Sequence, residues 1–164
     1  NLMLQAVPDG ADNPKFEQAY ETMQTWYKAH NQIKTAPYPG VQRLIRTLKQ
    51  QGVPMAVVSN KPDASVQMLV EQWFPEITFG LGEREGLRRK PERDMVDYAI
   101  AQLGQTGKKT VYVGDSEVDL TTAANAGLDC ISVTWGFRDR ALLVERGAKQ
   151  FADTAEELLR LIQG

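Results

Sequence analysis

Cysteine occurs once and histidine once in these 164 residues, and the two scarcities remove whole classes of chemistry. Cys130, alone in the apolar stretch CISVTW, has no partner for an internal disulfide or a cysteine-rich zinc site and reads as a buried, inert thiol. His30 by itself excludes H-E-x-x-H and related clusters, and its polar helical setting makes it a surface residue. No apolar run approaches the roughly 18 residues of a membrane span. The opening NLMLQAVPDG lacks the charged-then-apolar layout of a targeting segment, so a cytoplasmic protein is the expectation. A basic excess is missing too: 19 Lys and Arg stand against 21 Asp and Glu, for a net charge of -2. That argues against nucleic acid or an anionic membrane as partner, whereas a small anionic substrate needs only a local positive site. Glycine-rich nucleotide signatures fail on spacing. GLGEREG (80–86) reads G-x-G-x-x-x-G with no helix after it, and GQTGKKT (104–110) has two residues between its glycines and precedes a strand.

What is present is an ordinary globular mix, 42% hydrophobic and 24% charged, at a length suited to one domain or one domain with a small appendage. Residues 14–33 carry Phe16, Tyr20, Met23 and Tyr27 at helical spacing, with Asn13 as cap and Pro14 at the first helical position. KTAPYPG then breaks the pattern and marks a boundary. After it helices and strands alternate. Val41, Leu44, Ile45 and Leu48 share a helix face, and VPMAVVSN (53–60) is an apolar strand. A helix opened by Pro62 carries Val66, Leu69, Val70 and Trp73, and ITFGLG is a short strand. Pro91 starts a helix with Met95, Ala99 and Leu103. TVYVGDS and CISVTWG are strands around an alanine-rich helix, KQFAD is an edge strand, and TAEELLRLIQ is a closing helix capped by Thr154. Strands without period-two alternation, separated by helices, predict a parallel sheet covered on both faces. The expected fold class is therefore α/β: a helical segment at 1–35, then a three-layer domain over 36–164.

Ligands of open parallel sheets bind beyond the carboxyl ends of the strands, near helix N-termini. Polar residues fall there three times: Ser59 and Asn60 end one strand, Lys90 precedes Pro91, and Asp115 and Ser116 end another. A hydroxyl, an ammonium and a carboxylate at convergent strand ends suit a phosphate plus a hard divalent cation. Each residue also has a plainer reading. Ser59 could cap the next helix. Lys90 sits in GLRRKPER, the wording of a solvated basic turn. Asp115 could be a turn residue. Asp119 completes a capping-box pattern with Ser116, so it is structural, functional or both.

VVSNKP, RRKPERDM and YVGDSEVDLTTAANAGLDCISVTWGF resemble, in order, the second, third and fourth motifs of the haloacid dehalogenase superfamily. PYPGVQRLIRTLKQQG before them and GAKQFADTAEELLRLI after them are similar to its phosphoglycolate phosphatase-like members. The resemblance covers roughly residues 36–164, and 1–35 looks like the end of that family's helical cap. It implies a Rossmann-like core and a Mg2+-dependent phosphatase acting on a small phosphorylated metabolite. It further implies that Ser59 and the backbone N–H of Asn60 bind the transferring phosphoryl group and that Lys90 offsets its charge. Asp115 would ligate Mg2+, and Asp119 would support the metal site or orient Lys90.

The family's first motif, a strand ending in D-x-D-G-T, has no match: Asp9 and Asp12 in VPDGADNP neither follow an apolar strand nor show that spacing. Its first aspartate is the family's nucleophile, and its strand lies in the family fold between those ending here in Ser59 and Asp115. The expectation is therefore a fragment cut inside the cap, inactive alone, because a fold without that strand leaves two buried edges unpaired. Competing readings are another phosphatase substrate or a phosphomutase, a non-catalytic protein that binds phosphate or a partner, and a receiver-type phosphoacceptor domain. Oligomeric state is not legible in the sequence.

Overall fold

A computed structural model describes residues 2–30 and 33–164. They separate into two units, 1–36 and 37–164. The first holds a short helix α1 (Leu2–Ala6), a 3-10 turn (Gly10–Asp12) and helix α2 (Phe16–His30). Helix α2 starts at Phe16, two residues after the expected Pro14, and the Asn13 side-chain oxygen accepts from the Lys15 N–H in the turn before it, at 2.8 Å. Residues 31 and 32, in the expected last turn of this helix, lie outside the described residues. His30 stacks on Trp26 one turn earlier, with ring centroids 4.5 Å apart.

The second unit alternates as its sequence implies: α3 (Val41–Gln50), β1 (Ala56–Pro62), α4 (Asp63–Trp73), β2 (Phe79–Glu83), α5 (Asp94–Gln102) and β3 (Val111–Gly114). Then follow α6 (Glu117–Ala126), β4 (Asp129–Val133), α7 (Arg140–Glu145), β5 (Gln150–Ala152) and α8 (Ala155–Gln163). All strand pairings are parallel, the signature of a helix-covered α/β core. Among the described residues the strands form two sheets, β1-β2 and β3-β4-β5. The division falls between the strands that end in Ser59 and Asp115, where the resemblance puts another strand.

Leu44 and Leu48 of α3 meet Ala155 and Leu158 of α8 over Ile131, Val133 and Ala152 of the three-stranded sheet. Burying each leucine contributes about 2 kcal/mol. Helix α8 is fixed at its start on both sides: the Glu157 N–H donates to Thr154 Oγ1 at 3.2 Å, and Glu157 Oε2 accepts from the Asp153 N–H at 2.7 Å. Helix α4 packs on β1 and β2, α5 on the same two strands, and α6 on β3 and β4.

Two further elements depart from the sequence reading. Helix α7 was not expected; its cap Asp139, accepting from the Leu142 N–H at 2.8 Å, was its only local signal. Helix α5 starts at Asp94 and not at Pro91, because the Lys90–Pro91 segment is held by side chains from elsewhere, described next. Among the described residues no helix is long and apolar enough to cross a membrane.

Candidate active site

Lys90 is the centre of the arrangement. Its backbone N–H donates to Asn60 Oδ1 at 2.9 Å, and the Asn60 amide donates back to the Lys90 carbonyl at 2.9 Å. Its ammonium donates to Asp119 Oδ1 at 2.8 Å and to the Tyr112 hydroxyl at 3.2 Å. The two charged side chains are only 13% and 8% exposed, so this is a desolvated pair and not a surface ion pair. Asn60 comes from the end of β1, Tyr112 from β3 and Asp119 from the first turn of α6. Asn60, Tyr112 and Asp119, each more than 20 positions from Lys90 in the chain, thus converge on it.

Asp119 accepts four hydrogen bonds. Oδ1 takes Lys90 and the Tyr112 hydroxyl; Oδ2 takes the Ser116 hydroxyl at 2.6 Å and the Asp115 N–H at 3.2 Å. Burial works against its charge, but Lys90, Ser116 and the Asp115 N–H outweigh it and hold the carboxyl below the usual carboxylate range. Burial and the Asp119 charge push the Tyr112 phenol well above its ordinary value, so it stays protonated and donates to Asp119. The capping box suggested by Ser116 and Asp119 takes another form: the Ser116 hydroxyl donates to Asp119 and does not accept from the helix. The carboxylate is close enough to the backbone of β3 that a Cβ at Gly114 would lie 2.2 Å from the Asp119 Cβ, so only glycine fits there.

Asp115 is gripped from the loop after β4. Its Oδ2 accepts from the Phe137 N–H at 2.8 Å, and its carbonyl accepts from the Arg138 N–H at 3.2 Å. Arg138 in turn forms a two-pronged pair with Glu117, at 2.8 and 2.7 Å. A Cβ at Gly136 would lie 2.2 Å from Asp115 Oδ2, which fixes glycine at that position as well. Ser59 does not cap α4, which begins at Asp63 with Pro62 as its cap; the Ser59 hydroxyl accepts from the Lys61 N–H at 3.2 Å.

Asn60, Lys90, Asp115 and Asp119 therefore stand in one connected network, and Ser59 joins it only as the neighbour of Asn60. Tyr112, Gly136, Phe137 and Asn125, whose side-chain amide donates to the Pro91 carbonyl at 2.9 Å, were not singled out in the sequence. Gly136 and Phe137 follow an apolar strand, so the strand-end rule that found Ser59 and Asp115 would have reached them. Tyr112 and Asn125 carry no local signal. Among the described residues no group of three or more His, Cys, Asp or Glu converges as a metal cage. Oδ1 of Asp115 accepts no hydrogen bond from the described residues, which fits a hard cation that takes one carboxylate and fills its other positions with phosphate oxygen and water. Cys130 lies outside this network, and burial raises its thiol to about 11.

A family profile described as haloacid dehalogenase-like hydrolase matches residues 4–133. The chain belongs to the haloacid dehalogenase-like hydrolases. Phosphoglycolate phosphatase of Pseudomonas putida is 31% identical over 146 residues, covering 83% of this chain and 52% of that protein. Phosphoglycolate phosphatase of Neisseria meningitidis is 31% identical over 140 residues, covering 84% of this chain and 60% of that protein. A crystal structure of a protein of the phosphoglycolate phosphatase type from Lactobacillus delbrueckii subsp. bulgaricus superposes with a TM-score of 0.89 at 44% identity, covering 95% of this chain and 66% of that one. The chain spans about half the length of the curated relatives it matches. A haloacid dehalogenase-like, phosphoglycolate phosphatase-like core is thus shared by fold and by sequence.

Proposed function

We propose that the whole protein is a Mg2+-dependent phosphatase that hydrolyses a small phosphomonoester of the phosphoglycolate kind. The reaction runs through an aspartyl-phosphate whose nucleophile lies outside these 164 residues. The observation that carries this reading is the desolvated Lys90–Asp119 pair at the strand ends, tied to Asn60 on one side and to Asp115 on the other. A cation held that firmly beside helix N-termini is prearranged for an anion whose charge must be balanced as it transfers.

Ser59, through its hydroxyl, and Asn60, through its backbone N–H, donate to the phosphoryl oxygens. Lys90 offsets the charge shared by nucleophile and phosphate. The nucleophilic carboxylate bonds to phosphorus as the bond to the leaving oxygen breaks, and that oxygen takes a proton from a general acid, the second aspartate of the family's D-x-D-G-T motif, which also lies outside these residues. Water then cleaves the acyl phosphate, releasing orthophosphate and restoring the carboxylate. Asp115, whose Oδ2 is held by the Phe137 N–H, is the residue that would hold Mg2+, which would supply charge neutralisation at the phosphate. Of the two roles implied for Asp119, four accepted hydrogen bonds favour orienting Lys90 over ligating the ion. Residues 1–35 are read as part of a helical cap and 36–164 as the catalytic core.

The test is a phosphatase assay with phosphoglycolate and a panel of phosphomonoesters, with Mg2+ and with a chelator. It is run on the 164-residue chain, verified by mass, and on the protein with its upstream sequence. Turnover is expected only from the longer protein with Mg2+. Robust turnover by the verified 164 residues would sink the reading, and binding without turnover by the longer protein would favour a non-catalytic phosphate binder.

A further inference from the structure

Ten residues, 84–93, connect β2 to α5 and contain Lys90. Lysine carries its charge on a long flexible stem, so fixing the ammonium requires fixing the backbone from which it starts. Pro91 has no N–H to contribute to that task. Two asparagine side chains perform it. Asn60 uses both halves of its carboxamide on the same residue, accepting from the Lys90 N–H and donating to the Lys90 carbonyl, each at 2.9 Å. Asn125 donates from Nδ2 to the Pro91 carbonyl at 2.9 Å.

The placement of Asn125 adds a constraint. Asp119 and Asn125 both lie on α6, six residues or about 9 Å apart along the axis. One helix therefore grips this segment twice, at the ammonium through its first turn and at the Pro91 carbonyl through its last. Asn60 grips it from β1, on the other side of the division between the two sheets. The Lys90–Pro91 segment is held from three directions by side chains 29 to 34 positions from the residues they hold.

We propose that Asn60, through its side chain, and Asn125 are positioning residues: they set the Lys90 backbone so that its ammonium stands where the transferring phosphoryl group needs it. The inference rests on the phosphatase reading above. It gives the Asn60 carboxamide a task separate from that of its backbone N–H, which every Asn60 variant other than proline retains.

The experiment is a double-mutant cycle in the longer protein, with Mg2+ and p-nitrophenyl phosphate as the probe. Asn60→Ala and Asn125→Ala are each measured with Lys90 intact and with Lys90→Ala. With Lys90 present, Asn60→Ala is expected to lower kcat by about 10-fold or more, in keeping with the sensitivity of catalysis to small misplacements. In the Lys90→Ala background the same substitution is expected to change kcat by less than about 2-fold, because a group acting only through Lys90 has nothing left to act on. An equal fold-loss in both backgrounds would mean that the asparagines merely support the fold, and would overturn the proposal. If Asn60→Ala fails to fold, Asn125→Ala decides, since it removes one exposed hydrogen bond and leaves a good helix former. Where Lys90→Ala turns over too slowly to time, orthophosphate affinity by calorimetry supplies the same cycle. A silent parent protein would instead bring down the phosphatase reading itself, so the two failures are told apart by the unmutated control.

Discussion

At the residue scale, Lys90–Asp119 is the most buried ion pair among the described residues. Replacing Lys90 with methionine leaves a carboxylate that is 8% exposed without its counter-charge, and is expected to cost about 3 kcal/mol of stability. The effect depends on pH in a fixed direction. Asp119 is held below the ordinary carboxylate value, so the pair's contribution is complete above about pH 4 and is lost as pH falls through the lower folded-state value. Urea midpoints of the parent and Lys90→Met at neutral pH and near pH 3 check this: the gap between them should narrow in acid. A constant gap would mean the pair adds nothing through its charge. Asp115 and Asp119 were singled out in the sequence because they adjoin a strand end and a helix start, and Lys90 because it precedes Pro91. Tyr112 and Asn125 were not singled out: Tyr112 meets Asp119 and Lys90, 7 and 22 positions away, and Asn125 meets Pro91, 34 positions away.

At the level of elements, helix stripes and apolar strands were legible because burial on one face or on two leaves a period in the sequence. The beginning of α5 and the existence of α7 were not. The first is displaced by hydrogen bonds from Asn60 and Asn125, and the second rests on a single capping aspartate. Strands β1 and β3 each pair on one side only among the described residues. In the 164-residue chain the amides of β3 that point away from β4 should exchange with solvent far faster than those of β4, which is paired on both sides. With the upstream sequence present they should become protected. Hydrogen exchange read by NMR makes the comparison, and equal protection in the shorter chain would show that something already covers that edge.

For the molecule as a whole, ligand linkage gives a reading that does not depend on turnover. A protein that binds Mg2+ and orthophosphate together only when folded gains stability from both. The longer protein is expected to melt higher by roughly 5 °C or more at a hundredfold excess of orthophosphate over its Kd with Mg2+ present. Asp115→Asn should abolish that shift, and an undiminished shift in the variant would remove Asp115 from the metal site. The Pro-rich break at KTAPYPG, where helical spacing gives way to alternating helix and strand, lies beside the division between residues 1–36 and 37–164.

The loop after β4 holds Asp115 with a backbone group, while Phe137 itself is 77% exposed and its ring lies against the Arg138 guanidinium, 4.9 Å from the ring centroid. Grip and ornament are thereby uncoupled at one position. Nineteen of the twenty amino acids offer the same N–H, so the bond to the carboxylate does not itself depend on which of them stands at 137. Proline alone cannot make the contact. Phe137→Ser should leave the metal dependence of turnover where it was, whereas Phe137→Pro should shift it to higher Mg2+ concentrations. A Mg2+ titration of the two variants would show whether this rim is free to be retailored for new substrates while the chemistry underneath stays the same.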